Sequence, residues 1–416
     1  MTKTVITGAQ VIDGTGRDPL AQATVVVEDG RIASVKARGA VPRGATVIDG
    51  TGMTLLPGLI DTHVHFLFDG ANLVQQLMTP FSLSLYEVIP RAARTLAGGV
   101  TTVRDAGYAP AGLRDAIARG LFPGPRMQVA ITILSQTGGH ADNTMPCGVC
   151  LNVASPELPP RVVDGVDAMR QRVREILRAG ADWIKVCATG GVLSPTDSPM
   201  ASQFTEAELR AAVEEGEAHG HVEVMAHAQG TRGIKNAIRA GVRSIEHGIW
   251  LDDEAIHMMI DRDVYLVPTL VAPLQVVRRA EADPSSMPEY AVRKSRQVIA
   301  DHQASFARAV AAGVKVAMGT DSGVGPHGEN AEELALMVAG GMTPMEAIVA
   351  TTRNAATLLK LDQDLGTIAA NKIADLILVS GDPLADITVL QPHANIALVM
   401  QNGTVVKNLV SERVTA

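Results

Sequence analysis

Hydrophobic positions follow two different rhythms along this chain. In residues 1–56 the segments TVITGAQVIDG, ATVVVEDGRIASVKA and ATVIDGTGMTLLPG are short apolar runs broken by glycine-containing turns, the pattern of antiparallel strands. From Leu59 onward, short apolar runs such as GVTTVRDAG and GADWIKVCATGG alternate with Ala-, Glu- and Arg-rich stretches of helical character such as RVVDGVDAMRQRVREILRAG. That alternation predicts a parallel sheet. Apolar runs ending in polar or Gly-rich loops occur near His65, Asp105, Ala130, Ala188, His227, His247, Leu270 and Asp321. Eight of them fit a closed (β/α)8 barrel of the TIM type. The third run, RMQVAITIL, has the least distinct end and extends toward the loop SQTGGHADN. After a helix containing NAATLLKL, β texture returns in GTIAANKIADLILVSGD and NIALVMQNGTVVKNLV. These last strands need a sheet to join, and the N-terminal strands offer one. The expectation is an α/β protein with a (β/α)8 barrel over 57–362 and a small β-sandwich built from both chain ends, 1–56 and 363–416.

Composition narrows the partners. Hydrophobic residues make up 46% of the 416 but aromatics only 3%, so a large aliphatic core can form while a base-stacking surface is disfavoured. A net charge of -8 with no basic run argues against nucleic acid and leaves a small-molecule substrate. The N-terminal MTKTVITGAQVIDG has no continuous apolar stretch, and no apolar run reaches the roughly 18 residues of a membrane span. A cytoplasmic protein without membrane contact is expected. Three cysteines, Cys147, Cys150 and Cys187, are too few for a disulfide framework. The Cys147/Cys150 pair has the spacing of half a zinc knot or a redox motif, but lacks a second pair.

Candidate chemistry sits at strand ends, where the loops of such barrels converge. His63 and His65 lie in GLIDTHVHF; a two-residue spacing turns both imidazoles to one face, as metal ligands or as two satisfied polar histidines beside a core. Lys185 interrupts the apolar strand WIKVCA. A buried lysine of lowered pKa can capture carbon dioxide as an anionic carbamate able to bridge two cations; the alternative is an ion pair with a carboxylate such as Asp105. His227 ends VEVMAHA, His247 ends SIEHG, and Asp321 closes VKVAMGTDSG, where a carboxylate can bind metal and take a proton or simply shape a turn. Six metal-competent residues at the ends of five strands point to a binuclear hydrolytic site, with ions about 3.5–4 Å apart. His140, in SQTGGHADN, faces the same rim and suits substrate orientation or carbonyl polarisation. His219, His221, His257, His302, His327 and His393 read as structural or solvated.

The order HxH, Lys, His, His, Asp on these strands resembles the amidohydrolase superfamily over essentially the whole chain. LLPGLIDTHVH, SQTGGH, IKVCATGGVLSP, AGVRSIEHG and GTDSG look like its imidazolonepropionase-like branch, which includes Xaa-Pro dipeptidases, Xaa-Arg/Lys carboxypeptidases and ochratoxin-type amidases. The resemblance implies a metal-dependent enzyme that cleaves a C–N bond next to a free carboxylate, in a dipeptide or an N-acyl amino acid, by attack of a metal-bridging hydroxide. It implies two divalent ions, zinc by family expectation. His63, His65 and Asp321 would hold the more buried ion, His227 and His247 the more exposed one, and carboxylated Lys185 would bridge them. Asp321 would carry the proton to the leaving nitrogen and His140 would contact the carbonyl or the carboxylate. A homo-oligomer is also implied. Gln229 departs from relatives that carry His or Tyr two residues after the fifth-strand histidine; Gln can donate a hydrogen bond but cannot exchange a proton. The loop GGVLSPTDSPM, with Ser194 and Asp197, is expected to border the pocket. Two other readings stand beside this one: hydrolysis of a cyclic amide, an imidazolone-like ring or a phosphotriester on the same site, and a barrel used only as a scaffold, which would be expected to have lost ligands.

Overall fold

The computed structural model describes residues 3–70, 78–145, 147–151, 155–410 and 412–414. The chain divides into two compact units, Met1–Asp61 with Ala93–Thr102 and Gly328–Ala416, and Thr62–Ala92 with Val103–His327. Among the described residues no helix is long and apolar enough to cross a membrane.

In the first unit nine strands share one hydrogen-bonded sheet. β1 (Lys3–Val11), β2 (Leu20–Glu28), β3 (Arg31–Ala37), β4 (Thr46–Asp49) and β5 (Met53–Pro57) come from the start of the chain. β14 (Leu376–Ser380), β15 (Ile396–Gln401), β16 (Thr404–Asn408) and β17 (Glu412–Val414) come from its end. β5 and β14 join the two sets, pairing antiparallel from Leu376↔Pro57 to Ser380↔Met53. β1 is the branch point, antiparallel to β2 and parallel to both β4 and β5. One face buries Ile6, Ala9, Val11, Val25, Val27, Leu376, Leu378, Leu398 and Met400 in a common core. Ile6 and Ala9 are three residues apart, which a strict two-residue alternation forbids. A register shift between Thr7 and Ala9 resolves this, because the extra residue of a bulge moves the following side chains to the other face. Gly8 makes the bulge possible: its φ is +77°, and a Cβ there would lie 2.5 Å from Thr51 Oγ1.

The second unit carries parallel strands buried on both faces, as sheets flanked by helices require. β9 (Ile133–Leu134), β10 (Ile184–Cys187), β11 (Val224–Ala228), β12 (Ser244–His247) and β13 (Tyr265–Val267) form a five-stranded sheet. β6 (Leu59–Val64), β7 (Val100–Asp105) and β8 (Arg126–Val129) form a three-stranded one, of which residues 59–61 and 100–102 fall in the first unit. Two expectations are corrected here. The third run is two short strands, β8 and β9, parted by a turn in which Ile131 has φ +62°; backbone pairing continues only to Ser135, which bridges Val162. The eighth run makes no regular ladder. Residues 315–322 instead connect β13 and β6 through single backbone hydrogen bonds: Leu266 N to Lys315 O at 2.8 Å, Ala317 N to Leu266 O at 3.0 Å, Thr62 N to Met318 O at 2.9 Å and His65 N to Ser322 O at 2.7 Å.

The helices follow from amphipathic spacing and caps. Val166–Arg178 buries Met169, Val173 and Ile176, and Glu206–Ala218 starts from a capping box between Thr205 and Glu208, which satisfies two otherwise orphaned N–H groups. The long helix Glu289–Ala311 buries Lys294, Val298 and His302, one turn apart on one face.

Candidate active site

His63 and His65 lie at the C-terminal end of β6, and their alternate positions put both rings on one side, with centroids 5.3 Å apart. Parallel pairing carries the set onward: Cys187 of β10 is level with His227 of β11, and Ala228 with His247 of β12. His247 and Asp321 both sit at positive φ, +73° and +60°, a costly conformation for these residue types that is held by surrounding bonds. One such bond runs from Asp321 N to His63 O at 2.7 Å. His63, His65, His140, Lys185, His227, Gln229, His247 and Asp321 all line one cavity that opens to solvent.

Hydrogen bonds on the outer edges of the rings decide where their lone pairs point. His63 Nδ1 meets Glu246 Oε2 at 2.6 Å, His65 Nδ1 meets Gly107 O at 3.0 Å, and His247 Nδ1 meets Thr269 Oγ1 at 2.7 Å. A carbonyl or carboxylate partner only accepts, so Nδ1 carries the proton in His63 and His65 and Nε2 is a bare lone pair. Those lone pairs face Asp321 Oδ1, at 3.5 Å from His63 Nε2 and 3.2 Å from His65 Nε2. The ligand atoms of His63, His247 and Asp321 lie within 4.8 Å of one another. His227 is turned the other way: Nε2 gives its proton to Gly190 O at 2.9 Å, leaving Nδ1 free. Neutral rings so arranged turn acceptors toward one another and repel unless a cation, a proton or a metal ion, stands among them. The donor set therefore fits divalent metal ions, and nitrogen with carboxylate oxygen suits zinc.

The electrostatics agree with that fit. Burial keeps His63, His227 and His247 well below the ordinary imidazole value, with Lys185 adding to the effect. Burial also pulls His65 down, but the Asp321 carboxylate outweighs it and raises it, favouring a positive charge between the two. Asp321 is held below the usual carboxylate range: burial would raise it, but His63, His65 and Lys185 win. Burial lowers Lys185, whose Nζ lies 3.5 Å from His63 Nε2. The anticipated alternative partner, Asp105, is occupied elsewhere. It accepts from the backbone N–H groups of Phe66, Gly107 and Ala109 at 2.8, 3.0 and 3.4 Å, and burial pushes its carboxyl up to about 6.

His140 stacks on His227 with ring centroids 4.2 Å apart. Its Nδ1 meets Ser194 Oγ at 2.8 Å, and Ser194 Oγ donates in turn to Asp197 Oδ1. Lys294 clamps this loop by donating to the carbonyls of Gly191, Ser194 and Asp197 at 3.0, 2.7 and 2.6 Å. Gln229 is anchored by its backbone, N to Thr189 Oγ1 at 2.9 Å. Its side-chain Oε1 is buried with no partner among the described residues.

Several residues at the site escaped the sequence reading. Glu246 precedes His247 and would alternate away from it in an ideal strand; it bonds to His63 instead and is braced by Arg104 at 3.0 Å and by Ser244. His302, expected to be structural or solvated, lines the cavity at 2% exposure with Nε2 donating to His247 O at 2.9 Å. The available signal was its one-turn spacing from Val298 on an apolar face. His327 is buried against Phe66, and His393 donates to Gly328 O at 2.7 Å. Cys147 and Cys150 are exposed, whereas Cys187 lines the cavity.

Comparison with known proteins matches residues 54–406 to the amidohydrolase family model. The chain is 34% identical to ochratoxinase of Aspergillus niger over 427 aligned positions, 97% of this chain and 86% of that one. It resembles a Xaa-Pro dipeptidase solved with bound methionine, at 36% identity and a TM-score of 0.89 over 98% of this chain and 100% of that one. A prolidase solved with N-methylphosphonate-L-proline matches at 37% identity and a TM-score of 0.90 over the same shares. These solved relatives imply a TIM-type barrel within an α/β fold, and divalent metals are general to the family. The chain belongs to the amidohydrolase family and is a hydrolytic enzyme of small-molecule substrates.

Proposed function

We propose that this enzyme cleaves the amide or peptide C–N bond next to a free carboxylate, in dipeptides or N-acyl amino acids, at a binuclear metal site. The observation that carries the reading is the convergence of His63, His65 and His247 ring nitrogens on Asp321 at one end of a cavity whose remaining wall is largely apolar. Likeness to a Xaa-Pro dipeptidase, to a prolidase and to ochratoxinase supports the bond class. The reading includes a barrel over 57–362, supported by the likeness to solved amidohydrolases, and a β-sandwich from 1–56 and 363–416, of which the sheet shared by both chain ends supports the joining of the two segments.

His63, His65 and Asp321 would hold one ion, His227 and His247 the other, and Lys185, carboxylated through its neutral amine, would lie between them. When bound, zinc or a similar ion would supply a Lewis acid for the scissile carbonyl and acidify water to a pKa of about 7. The rest falls to the chain. Asp321, ionised over the working range, accepts the proton of the attacking water as the C–O bond forms and delivers it to the leaving nitrogen as the C–N bond breaks. His140 keeps its Nδ1–H on Ser194 and, in its protonated form, turns the Nε2–H to the carbonyl or the carboxylate. Gln229 offers its free carboxamide to the same substrate.

A panel of Xaa-Pro, Xaa-Arg and Xaa-hydrophobic dipeptides, N-acyl amino acids, a lactam and a phosphotriester tests the reading with zinc-loaded enzyme. Turnover of dipeptides or N-acyl amino acids is expected. Turnover of the lactam or the phosphotriester alone would overturn it.

A further inference from the structure

A free carboxylate on the substrate needs a cation in the pocket, and the metal cluster uses the cavity's own lysine, Lys185. The buried cations of this unit are Arg91, Arg104, Arg161, Lys185 and Lys294. Arg91 pairs with Asp69 and Glu87, Arg104 with Glu246, and Lys294 gives its hydrogens to three carbonyls. Arg161 differs. It is 9% exposed, yet among the described residues its guanidinium has neither an anionic partner nor a hydrogen bond.

Its position is well defined. The guanidinium carbon stands 4.3 Å from the centroid of the Tyr108 ring. Arg161 is tied to the strand end that leads to His140: Ser135 N donates to Arg161 O at 3.0 Å, and Val163 N to Ser135 O at 2.9 Å. Tyr108 packs with Ile133, Ala141 and Cys187, and all four line the cavity. Arg161 acts electrostatically on two of them. Burial pushes the Cys187 thiol up to about 12 and raises Tyr108, and in both cases the Arg161 charge pulls the other way. The Tyr108 hydroxyl also makes no hydrogen bond among the described residues. Contact with a ring face offsets only part of the cost of burying a cation; Arg161 is not itself in the cavity lining but lies against the lining residue Tyr108, and an N–H fork reaching past that ring would match a planar carboxylate in geometry.

We propose that Arg161, held face-on against Tyr108, is the anchor for the free carboxylate of the substrate, with the Tyr108 hydroxyl as a second donor. This rests on the proposed cleavage of a C–N bond beside a carboxylate. It makes the Tyr108 wall the specificity-determining edge of the cavity.

The test compares an N-acyl amino acid, or the best dipeptide of the panel, with its C-terminal carboxamide, using metal-loaded full-length enzyme, wild type and Arg161→Met. Arg161→Met is expected to raise KM for the acid about 100-fold with kcat changed only a few-fold, and to leave kcat/KM for the carboxamide unchanged; Arg161→Lys should restore part of the loss. Equal losses on acid and carboxamide would show a structural role and overturn the anchor. If Arg161→Met does not fold, Tyr108→Phe is read in its place, with about a ten-fold rise in KM on the acid alone expected and equal effects overturning. If wild type cleaves neither compound, the reaction assignment fails separately. The anchor is then judged by thermal shift with the same pair: a Tm rise with the acid alone that Arg161→Met removes supports it, and equal shifts overturn it.

Discussion

Glu246 Oε2 and His63 Nδ1 meet at 2.6 Å with the two side chains at 0% and 1% exposure. The contact fixes the His63 tautomer, so that the Nε2 lone pair faces Asp321 and Lys185. Arg104 braces the carboxylate from behind at 3.0 and 3.2 Å. A carboxylate behind a ligating imidazole raises its basicity and locks its orientation.

Glu246→Gln keeps the shape and loses the charge. Metal affinity is expected to fall roughly 10–100-fold while far-UV circular dichroism is unchanged. Competition with a graded chelator series measures this; an unaltered affinity would remove Glu246 from the support of the site.

Lys185→Ala should lower metal content and abolish hydrolysis if, as proposed, a carbamate on Lys185 lies between the two sets of histidines. In wild type, native mass spectrometry under bicarbonate should show the added mass of one carbon dioxide, absent in the variant. Full activity in Lys185→Ala would exclude the bridging role.

Ser194→Ala removes the hydroxyl that holds His140 Nδ1 at 2.8 Å. A drop in kcat of about ten-fold is expected, small beside the full effect of a general acid or base, with metal content intact and with recovery in Ser194→Thr. A loss of bound metal together with activity would instead mean that the loop supports the ligands themselves.

His302 predicts a pH dependence of stability. Burial lowers it to about 4 from the ordinary 6.5, so the unfolded chain takes up this proton first as pH falls. The stability it contributes is present above pH 6.5 and is lost on descending through about 4. Urea titrations should show wild type losing up to about 3 kcal/mol more than His302→Gln between neutral pH and pH 4. Parallel losses in the two proteins would show that another group sets the acid limit.

What the sequence determined by itself follows from local rules. Two-residue spacing puts His63 and His65 on one face whatever the rest of the chain does. Apolar runs that end in a polar residue mark His227, His247 and Asp321 as candidates, and Lys185 stands out inside its run because strand interiors tolerate so few charges. Alternation in the first 56 residues and in the last stretch announces strands. The tertiary structure decided whatever depends on partners distant in sequence. Glu246 reaches His63 across 183 positions, and its place one residue from His247 gave no hint of that. Arg161 and His302 stand in a loop and a helix, and only packing brings one against Tyr108 and the other behind His247. The eighth run meets its neighbours only through the isolated bridges Leu266↔Val316 and Val64↔Ser322, and how many pairs a strand makes depends on how its neighbours are placed. Lone-pair direction was also beyond the sequence: residue type says that an imidazole can bind metal, but its outer hydrogen bond, made to whatever the fold places there, selects the nitrogen that does.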